Sequence, residues 1–106
     1  MRGDVLKNHL ELLVLSTLKA GPGHGYSIIR AIRDRSDGEF ELLEGPLYPA
    51  LHRLEGERLV TSSWSNVAGR KRRVYKLSRK GRVAVGQQER DWRRFERAMN
   101  LVLAAR

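Results

Sequence analysis

Apolar residues recur every three or four positions in the first stretch of the chain, which is the spacing of an amphipathic helix. The stretch VLKNHLELLVLSTLKA carries a single apolar stripe, made of Leu6, Leu10, Leu13, Val14 and Leu18. Asp4 stands where an N-cap residue is expected, and Gly21-Pro22-Gly23 is a strong helix stop. The pattern therefore predicts a first helix that packs on the rest of the domain.

A second helix is predicted over YSIIRAIRDR. Tyr26, Ile29 and Ile32 are expected to share its buried face, with Ile28 beside them. Ser36-Asp37-Gly38 ends this helix, because all three residues favour turns. The stretch FELLEG that follows fits no single element, and its apolar residues are expected to hold it as a loop on the core.

The third helix contains two prolines, and they restrict where it can begin. Either Pro46 lies in its first turn and Pro49 one turn inside, or the helix begins nearer Tyr48. We expect the later start, because proline is best tolerated in the first turn. The buried arc is predicted to consist of Leu47, Leu51 and Leu54. The opposite face carries Pro49, His52, Arg53 and Gly56, with Tyr48 and Glu55 on its flank.

Two short stretches then alternate between apolar and polar residues, as strands do. LVTSSWS and RRVYKLS are separated by Asn66-Val67-Ala68-Gly69, which has turn chemistry. They predict a hairpin, in which Trp64 and Tyr75 serve packing. Ser78 can cap a last, long helix that contains no proline.

This last helix carries apolar residues at heptad spacing. Val85, Trp92 and Met99 lie seven apart, and Phe95 and Val102 lie seven apart at the complementary position. Such a seam of about three repeats is typical of a helix that pairs with another helix. Because the domain is small, we expect the partner to be a second copy of the chain, packed in part through its N-terminal leucine stripe.

The predicted order is helix, helix, helix, hairpin and long helix, which is a mainly α fold with a small β-hairpin (α+β). Three helices followed by a two-stranded ribbon form a winged helix-turn-helix, in which the hairpin is the wing. We therefore predict a winged helix-turn-helix DNA-binding domain over residues 1–79 and a C-terminal dimerisation helix over residues 80–106.

The distribution of charge favours a nucleic-acid partner. The chain of 106 residues has a net charge of +9, with 21 Lys and Arg against 12 Asp and Glu. The stretch RKRRVYKLSRKGR, residues 70–82, contains no acid and covers the wing and the start of the last helix. Basic side chains beside a helix N-terminus are expected to bind phosphates. The acids gather before the third helix, at Asp37, Glu39, Glu41 and Glu44.

Other classes of function find little support in the sequence. There is no cysteine, which excludes disulfides and thiolate metal sites and suits the reducing cytoplasm. No apolar run has the length of a membrane span. The three histidines, His9, His24 and His52, are far apart, and GPGHG lacks the strand and the Lys-Ser/Thr end of a phosphate loop. We therefore expect no enzyme activity, no metal and no cofactor.

Three motifs resemble the PadR family of bacterial transcriptional regulators: HGYSIIRAI, EGPLYPALHRLEGERLV and GRKRRVYKLSRKG. The single long C-terminal helix resembles the short subclass of that family. Two departures stand out. Pro46 replaces the usual Thr, and Arg58 replaces the usual Gly before the first strand, so that turn must form without glycine.

The resemblance implies a sequence-specific regulator that binds duplex DNA as a homodimer on a pseudo-palindromic operator, as a ligand-responsive repressor. LYPALHRLE would be its recognition helix. The residues expected at DNA are Tyr48, Pro49, His52, Arg53, Arg70, Lys71, Arg72 and Arg73. Those expected at the dimer or effector site are Leu10, Val14, Val85, Trp92, Phe95, Met99 and Val102.

Two alternatives stay open at this point. A winged helix can also bind RNA or serve as a protein-docking module, although RNA readers more often expose aromatic residues on a sheet. Trp92 also has two interpretations, and in the first of them it is simply a core residue of the dimer seam. It also aligns with the position at which some family members bind flat aromatic effectors, which implies a small planar aromatic ligand here.

Overall fold

The computed structural model describes residues 6–104. A short 3-10 helix, Lys7–His9, leads into helix α1. The elements that follow in chain order are α1 (Leu10–Lys19), α2 (Gly25–Arg35), α3 (Glu44–Gly56), β1 (Val60–Val67), β2 (Arg70–Leu77) and α4 (Arg79–Ala104). This is the predicted order of helices and hairpin. The predicted N-cap, Asp4, lies outside the described residues.

One hydrophobic core joins all of these elements. Helix α1 contributes the predicted stripe, except that Leu13 is only half-buried and Leu15 is fully buried. The other helices and the hairpin add Ile28, Ile32, Leu47, Ala50, Leu51, Leu54, Leu59, Val60, Tyr75, Leu77 and Val85. The loop before α3 packs on this core through Phe40 and Leu42, whereas Leu43 is exposed.

The buried face of α2 differs from the predicted one. Ile28 and Ile32 are buried and Ile29 is half-buried, but Tyr26 is exposed. The reason is angular: at ~100° per residue, Tyr26 lies about 160° around the helix from Ile28. Tyr26 is thereby left on the outer surface, where the Arg30 guanidinium lies 5.7 Å from the centre of its ring.

Helix α3 begins at Glu44, so the prediction of a start near Tyr48 was wrong. The first turn forms around Pro46, since an N–H at that position would have no intrahelical partner. The N–H of Leu47 donates to the Leu43 carbonyl at 3.3 Å, so the helix is established before Pro49. Pro49 lies inside the helix and removes only the bond that its N–H would make to the exposed first turn. The predicted arc of leucines is buried as expected.

The turn after α3 forms without glycine. Arg58 has φ 64°, the left-handed region that glycine usually occupies. The N–H of Leu59 donates to the Leu54 carbonyl at 2.9 Å, and that of Arg58 to the Glu55 carbonyl at 3.0 Å. These two bonds form a Schellman motif that ends the helix and directs the chain into β1.

Strands β1 and β2 pair in antiparallel register from Val60 opposite Leu77 to Val67 opposite Arg70. A two-residue turn of Ala68 and Gly69, both with positive φ, joins them. The geometry is that of a type I′ hairpin turn. Gly23, before α2, makes an isolated bridge to Tyr75 and so attaches the inner end of the wing to the start of α2.

Helix α4 is anchored at its start and exposed beyond it. The Ser78 hydroxyl accepts from the Gly81 N–H at 3.0 Å, as predicted for a cap, and donates to the Arg58 carbonyl at 2.7 Å. Gly81 and Val85 are buried, whereas residues 90–104 are all exposed. Within the described part of the chain, no helix is long and apolar enough to cross a membrane.

Candidate nucleic-acid interface

An open groove of about 510 Å³ lies between the start of α2, the start of α3 and the wing. Four basic residues of the wing contribute to its lining, and one acid, Glu44 of α3, lies on its rim. The residues that line the groove are His24, Gly25, Tyr26, Glu44, Tyr48, Trp64, Arg70, Lys71, Arg72, Arg73 and Tyr75. A groove of this kind presents a helix and a cationic ribbon to the same ligand.

Tyr48 connects helix α3 to the start of α2. A Cβ atom built at Gly25 would overlap the Tyr48 hydroxyl and ring, so the two residues are in close contact. Tyr48 is nevertheless 45% exposed. Its ring therefore has one face on the protein and part of its surface free for a ligand in the groove.

His24 caps α2 and meets the wing. Its Nδ1 accepts from the Ser27 N–H at 3.4 Å, and the Ser27 hydroxyl accepts from the His24 N–H at 3.0 Å, which makes a capping box. Arg72 Nη1 lies 3.4 Å from the same Nδ1 atom. Burial, and secondly the positive charge of Arg72, lower the pKa of His24 below 6.5. The neutral imidazole is therefore the form that the contact with Arg72 requires.

Trp64 lies on the wing and is 58% exposed, so the expectation that it serves packing is corrected. Lys71 Nζ lies 5.6 Å and Arg73 Cζ 5.3 Å from the centre of its ring. Because Trp64 pairs with Arg73 across the strands, these side chains share one face of the ribbon. Tyr75 on the same face is buried, since it lies at the inner end of the wing.

The predicted DNA-binding residues fall into two groups. Tyr48 and the four basic residues of the wing line the groove together. Pro49, His52 and Arg53 are exposed on the outer face of α3 and do not line it. Arg53 Nε also lies 3.8 Å from Glu11 Oε2, which draws its side chain toward α1.

Sequence reasoning missed His24, Gly25 and Trp64 as parts of the groove, whereas it placed Glu44 close to the expected phosphate position. The bridge between Gly23 and Tyr75 brings the first two to the wing, and a pairing over so long a separation in sequence leaves no local signal. An exposed tryptophan among serines and basic residues in a strand, SSWSN, is a signal that could have identified Trp64.

A second concave site, of about 580 Å³, lies between α1, Phe40 and α4. Trp92 forms part of its wall, with its ring centre 5.2 Å from that of His9 in an edge-to-face arrangement. Glu89 closes one end, and its carboxylate accepts from Ser16 at 3.0 Å and from Lys19 at 2.9 Å. The hydrogen bond from Lys19 lowers the pKa of Glu89, and the bond from Ser16 acts in the same direction. The cavity wall is otherwise mostly apolar: Leu6, Leu12, Leu13 and Phe40.

The prediction that Leu10, Val14 and Val85 lie at the dimer or effector site does not fit the structure. The structure buries all three within the chain itself, at 5%, 0% and 0% exposure. The start of α4 and helix α1 pack on each other, so these side chains present no surface to a partner. The exposed part of the predicted stripe consists of Trp92, Phe95, Met99 and Val102.

Among residues 6–104, no group of three or more His, Asp or Glu side chains could hold a metal ion. The described chain does offer helix α3 and a basic wing on the same groove, together with a long, partly apolar terminal helix. This combination defines a winged helix-turn-helix protein.

Comparison with known proteins gives the same class in more detail. The Transcriptional regulator PadR-like family matches residues 14–87. The crystal structure of a PadR family transcription regulator from Clostridium difficile R20291 is similar, with 33% identity and a TM-score of 0.78 over 91% of this chain and 99% of that chain. A transcriptional regulator from Clostridium thermocellum has 26% identity and a TM-score of 0.83 over 92% and 96% of the two chains. Transcriptional regulator Rv3488 of Mycobacterium tuberculosis (strain ATCC 25618 / H37Rv) is 43% identical over 51 residues, 48% of each chain.

The chain belongs to the PadR-like family of transcriptional regulators. It is a DNA-binding transcription regulator and not an enzyme. The resemblance read from its three motifs is thereby confirmed, as is the winged-helix fold.

Proposed function

We propose that this regulator binds specific duplex DNA sites as a homodimer and acts as a repressor whose affinity for DNA depends on a small planar aromatic ligand. The observation that carries the proposal is the groove in which Tyr48 on α3 faces the cationic wing. A helix in the major groove and a wing on the neighbouring backbone supply base contacts and phosphate contacts together. A dimer bound across a promoter excludes other proteins from that site.

The exposed apolar face of α4 supports the dimer. Phe95, Met99 and Val102 are 52%, 43% and 71% exposed, and Trp92 lies 5.6 Å from Phe95 between ring centres. Contiguous exposed apolar residues of this kind mark a surface on which another protein packs. A second copy would place two recognition helices on half-sites about one helical turn, ~34 Å, apart on a pseudo-palindromic duplex.

The cavity beside Trp92 supports the ligand. It is largely apolar, it has an indole on its wall, and it lies next to the face on which the partner is proposed. A flat aromatic molecule would gain contact area with Trp92 while giving up little freedom of its own. The division into a DNA-binding domain, residues 1–79, and a dimerisation helix, residues 80–106, remains part of this proposal.

Selection from a library of random duplexes tests DNA recognition directly. We expect an enriched pseudo-palindrome, and, if the dimer neutralises about six to eight phosphates, a slope of log K against log salt of about −5 to −7. Equal affinity for selected and scrambled duplexes, or a slope near zero, would contradict the proposal. Structured RNA as competitor separates the RNA-binding alternative, which the exposed Trp64 makes worth testing. A docking module would bind neither nucleic acid with a salt dependence of this size.

Trp92→Ala tests the ligand. If the cavity is the effector site, a planar aromatic dye should lower the affinity of the wild type for the selected duplex but not that of Trp92→Ala. If Trp92 is only a residue of the dimer seam, the substitution should weaken the dimer, with a cost near the ~3–5 kcal/mol of removing a large buried aromatic. Sedimentation of both proteins separates these outcomes.

A further inference from the structure

Arg73 on the wing is connected to the recognition helix by a short series of polar contacts. Its Nε donates to Ser62 Oγ at 3.0 Å, and Ser62 Oγ donates to Glu55 Oε2 at 2.5 Å. Arg73 Nη2 lies 3.8 Å from the same carboxylate oxygen. Because Glu55 is on α3, Ser62 on β1 and Arg73 on β2, these three side chains bridge the helix and both strands of the wing.

The Arg73 guanidinium also makes a cation–π contact with Trp64, because the Arg73 Cζ atom lies 5.3 Å from the centre of the Trp64 ring. Arg70 differs, since within residues 6–104 its side chain makes no hydrogen bond or ion pair. A guanidinium that already contacts a hydroxyl, a carboxylate and an indole has fewer N–H groups free for a phosphate, and moving it toward the DNA would break those contacts. An exposed arginine without such interactions breaks no contact within the protein when it binds a phosphate.

We propose that Arg73 is a positioning residue, which with Glu55 and Ser62 fixes the angle between α3 and the wing and does not itself contact phosphate. This inference rests on the proposed duplex binding. A helix in the major groove and a wing on the adjacent DNA backbone can bind together only at one relative orientation. A loose wing weakens specific binding, because the free energy of ordering the wing must be spent when the duplex binds. The charge of Arg73 alone suggests that it binds phosphate, but in this proposal it does not.

Glu55→Ala distinguishes a positioning role from a simple effect of charge. The two explanations predict opposite changes in the affinity for the selected duplex. Removal of an acid near a phosphate-binding surface strengthens binding to every duplex if only Coulomb attraction matters. If Glu55 holds the wing, the same change weakens binding to the selected duplex, by roughly tenfold, whereas the scrambled duplex, which does not require a fixed angle, is bound as tightly as before or more tightly. Glu44→Ala is the matched control, because Glu44 is an acid on the same helix that lines the groove and makes no contact with this bridge. It should bind both duplexes more tightly.

The salt dependence separates the two arginines. Arg70→Ala should weaken both duplexes and reduce the salt slope by about one for each phosphate that the variant no longer neutralises. Arg73→Ala should weaken the selected duplex and leave the slope unchanged. The double variant Glu55→Ala/Arg73→Ala should bind no more weakly than the more damaging of its two single changes, because both break the same bridge.

Hydrogen exchange of the wing amides in the free protein tests the bridge without DNA. Glu55→Ala and Arg73→Ala should exchange faster at residues 60–77 than the wild type, whereas Glu44→Ala and Arg70→Ala should not. Tighter DNA binding by Glu55→Ala, a lower salt slope for Arg73→Ala or unchanged exchange in both variants would each overturn the positioning role. Absence of any duplex binding by the wild type would instead overturn the proposed function, and the exchange rates would still decide whether the bridge exists.

Discussion

Gly25 lies under the ring of Tyr48, so close that a Cβ atom at residue 25 would occupy the space of the Tyr48 hydroxyl. The contact joins the first residue of α2 to the recognition helix. It also explains why a glycine begins α2 even though its backbone does not need a positive φ. The angle between the two helices of the helix-turn-helix therefore depends on a residue that has no side chain.

Gly25→Ala should destabilise the fold and disturb DNA binding together. The added methyl group must displace the hydroxyl end of the half-exposed Tyr48 side chain, so we expect a cost of about 1 kcal/mol, the lower end for overpacking, together with a shifted Tyr48 in the groove. Gly45→Ala is the control, because a Cβ there meets nothing within 4 Å. It should be neutral or stabilising, as alanine is in helices. Urea unfolding measures both, and a gain in stability for Gly25→Ala equal to that of the control would show that the packing against Tyr48 is loose.

Arg58→Gly should stabilise the protein. Arg58 has φ 64°, where a residue with a side chain is strained by about 1–2 kcal/mol. Glycine relieves that strain but loses more freedom on folding, so we expect a net gain of about 0.5–1 kcal/mol. Arg58→Ala separates conformation from charge, because alanine keeps the strained backbone and should bring no gain. Equal stabilisation by both changes, measured as the midpoint in urea, would attribute the effect to removal of the charge.

Stability should fall as the pH falls below 6.5 through the protonation of His24. Its pKa is lowered in the folded chain by burial and by Arg72, so between that pKa and 6.5 the unfolded chain binds more protons. The stabilising contribution of the neutral imidazole is therefore complete above pH 6.5 and is lost as the pH falls through the folded-state pKa. Protonation also removes the Nδ1 acceptor of the cap.

His24→Asn isolates this effect, because asparagine caps helices well and does not titrate. The difference in unfolding free energy between the wild type and His24→Asn should change between pH 7 and pH 5 in the direction that disfavours the wild type in acid. His9, His52 and Glu89 are present in both proteins and cancel in the comparison. A difference that does not depend on pH would show that His24 has the same pKa in both states.

Gly81→Ala should be severely destabilising, whereas Gly86→Ala on the same helix should not. A Cβ at Gly81 would overlap the Leu59 carbonyl, which is backbone and cannot rotate away. We expect a cost of about 3 kcal/mol or more, at the upper end for overpacking. A Cβ at Gly86 meets only the end of Arg90 at 3.6 Å, so alanine should gain about 0.5–1 kcal/mol from helix propensity. Thermal unfolding of the two variants checks the contrast, and similar effects from both would contradict the close approach of α4 to Leu59.

The parts of the fold that the sequence predicted are those with local signals. The stripe of α1, the arc of Leu47, Leu51 and Leu54, the hairpin turn and the cap at Ser78 all depend on residues near one another in the chain. The start of α3 was misplaced because the sequence analysis put Pro49 in the first turn, whereas Pro46 lies there and Pro49 is accommodated inside the helix.

The candidate site was predictable in composition but not in arrangement. The basic wing and Tyr48 follow from sequence, whereas the approach of His24 to Arg72 and of Glu55 to Arg73 depends on how the hairpin packs on two helices. The seam of α4 was predicted from heptad spacing, and spacing alone does not show that Val85 faces the chain's own core while Phe95 does not.

Two chains, joined through the exposed apolar face of α4, should hold two recognition helices on one duplex. Sedimentation equilibrium of the wild type at micromolar concentration, alone and with the selected duplex, measures this directly. We predict a free protein of twice the chain mass of 12.2 kDa and a complex of two chains per duplex. A species of 12.2 kDa that binds the selected duplex as a single chain with full affinity would show that one recognition helix is sufficient and that no dimer is needed.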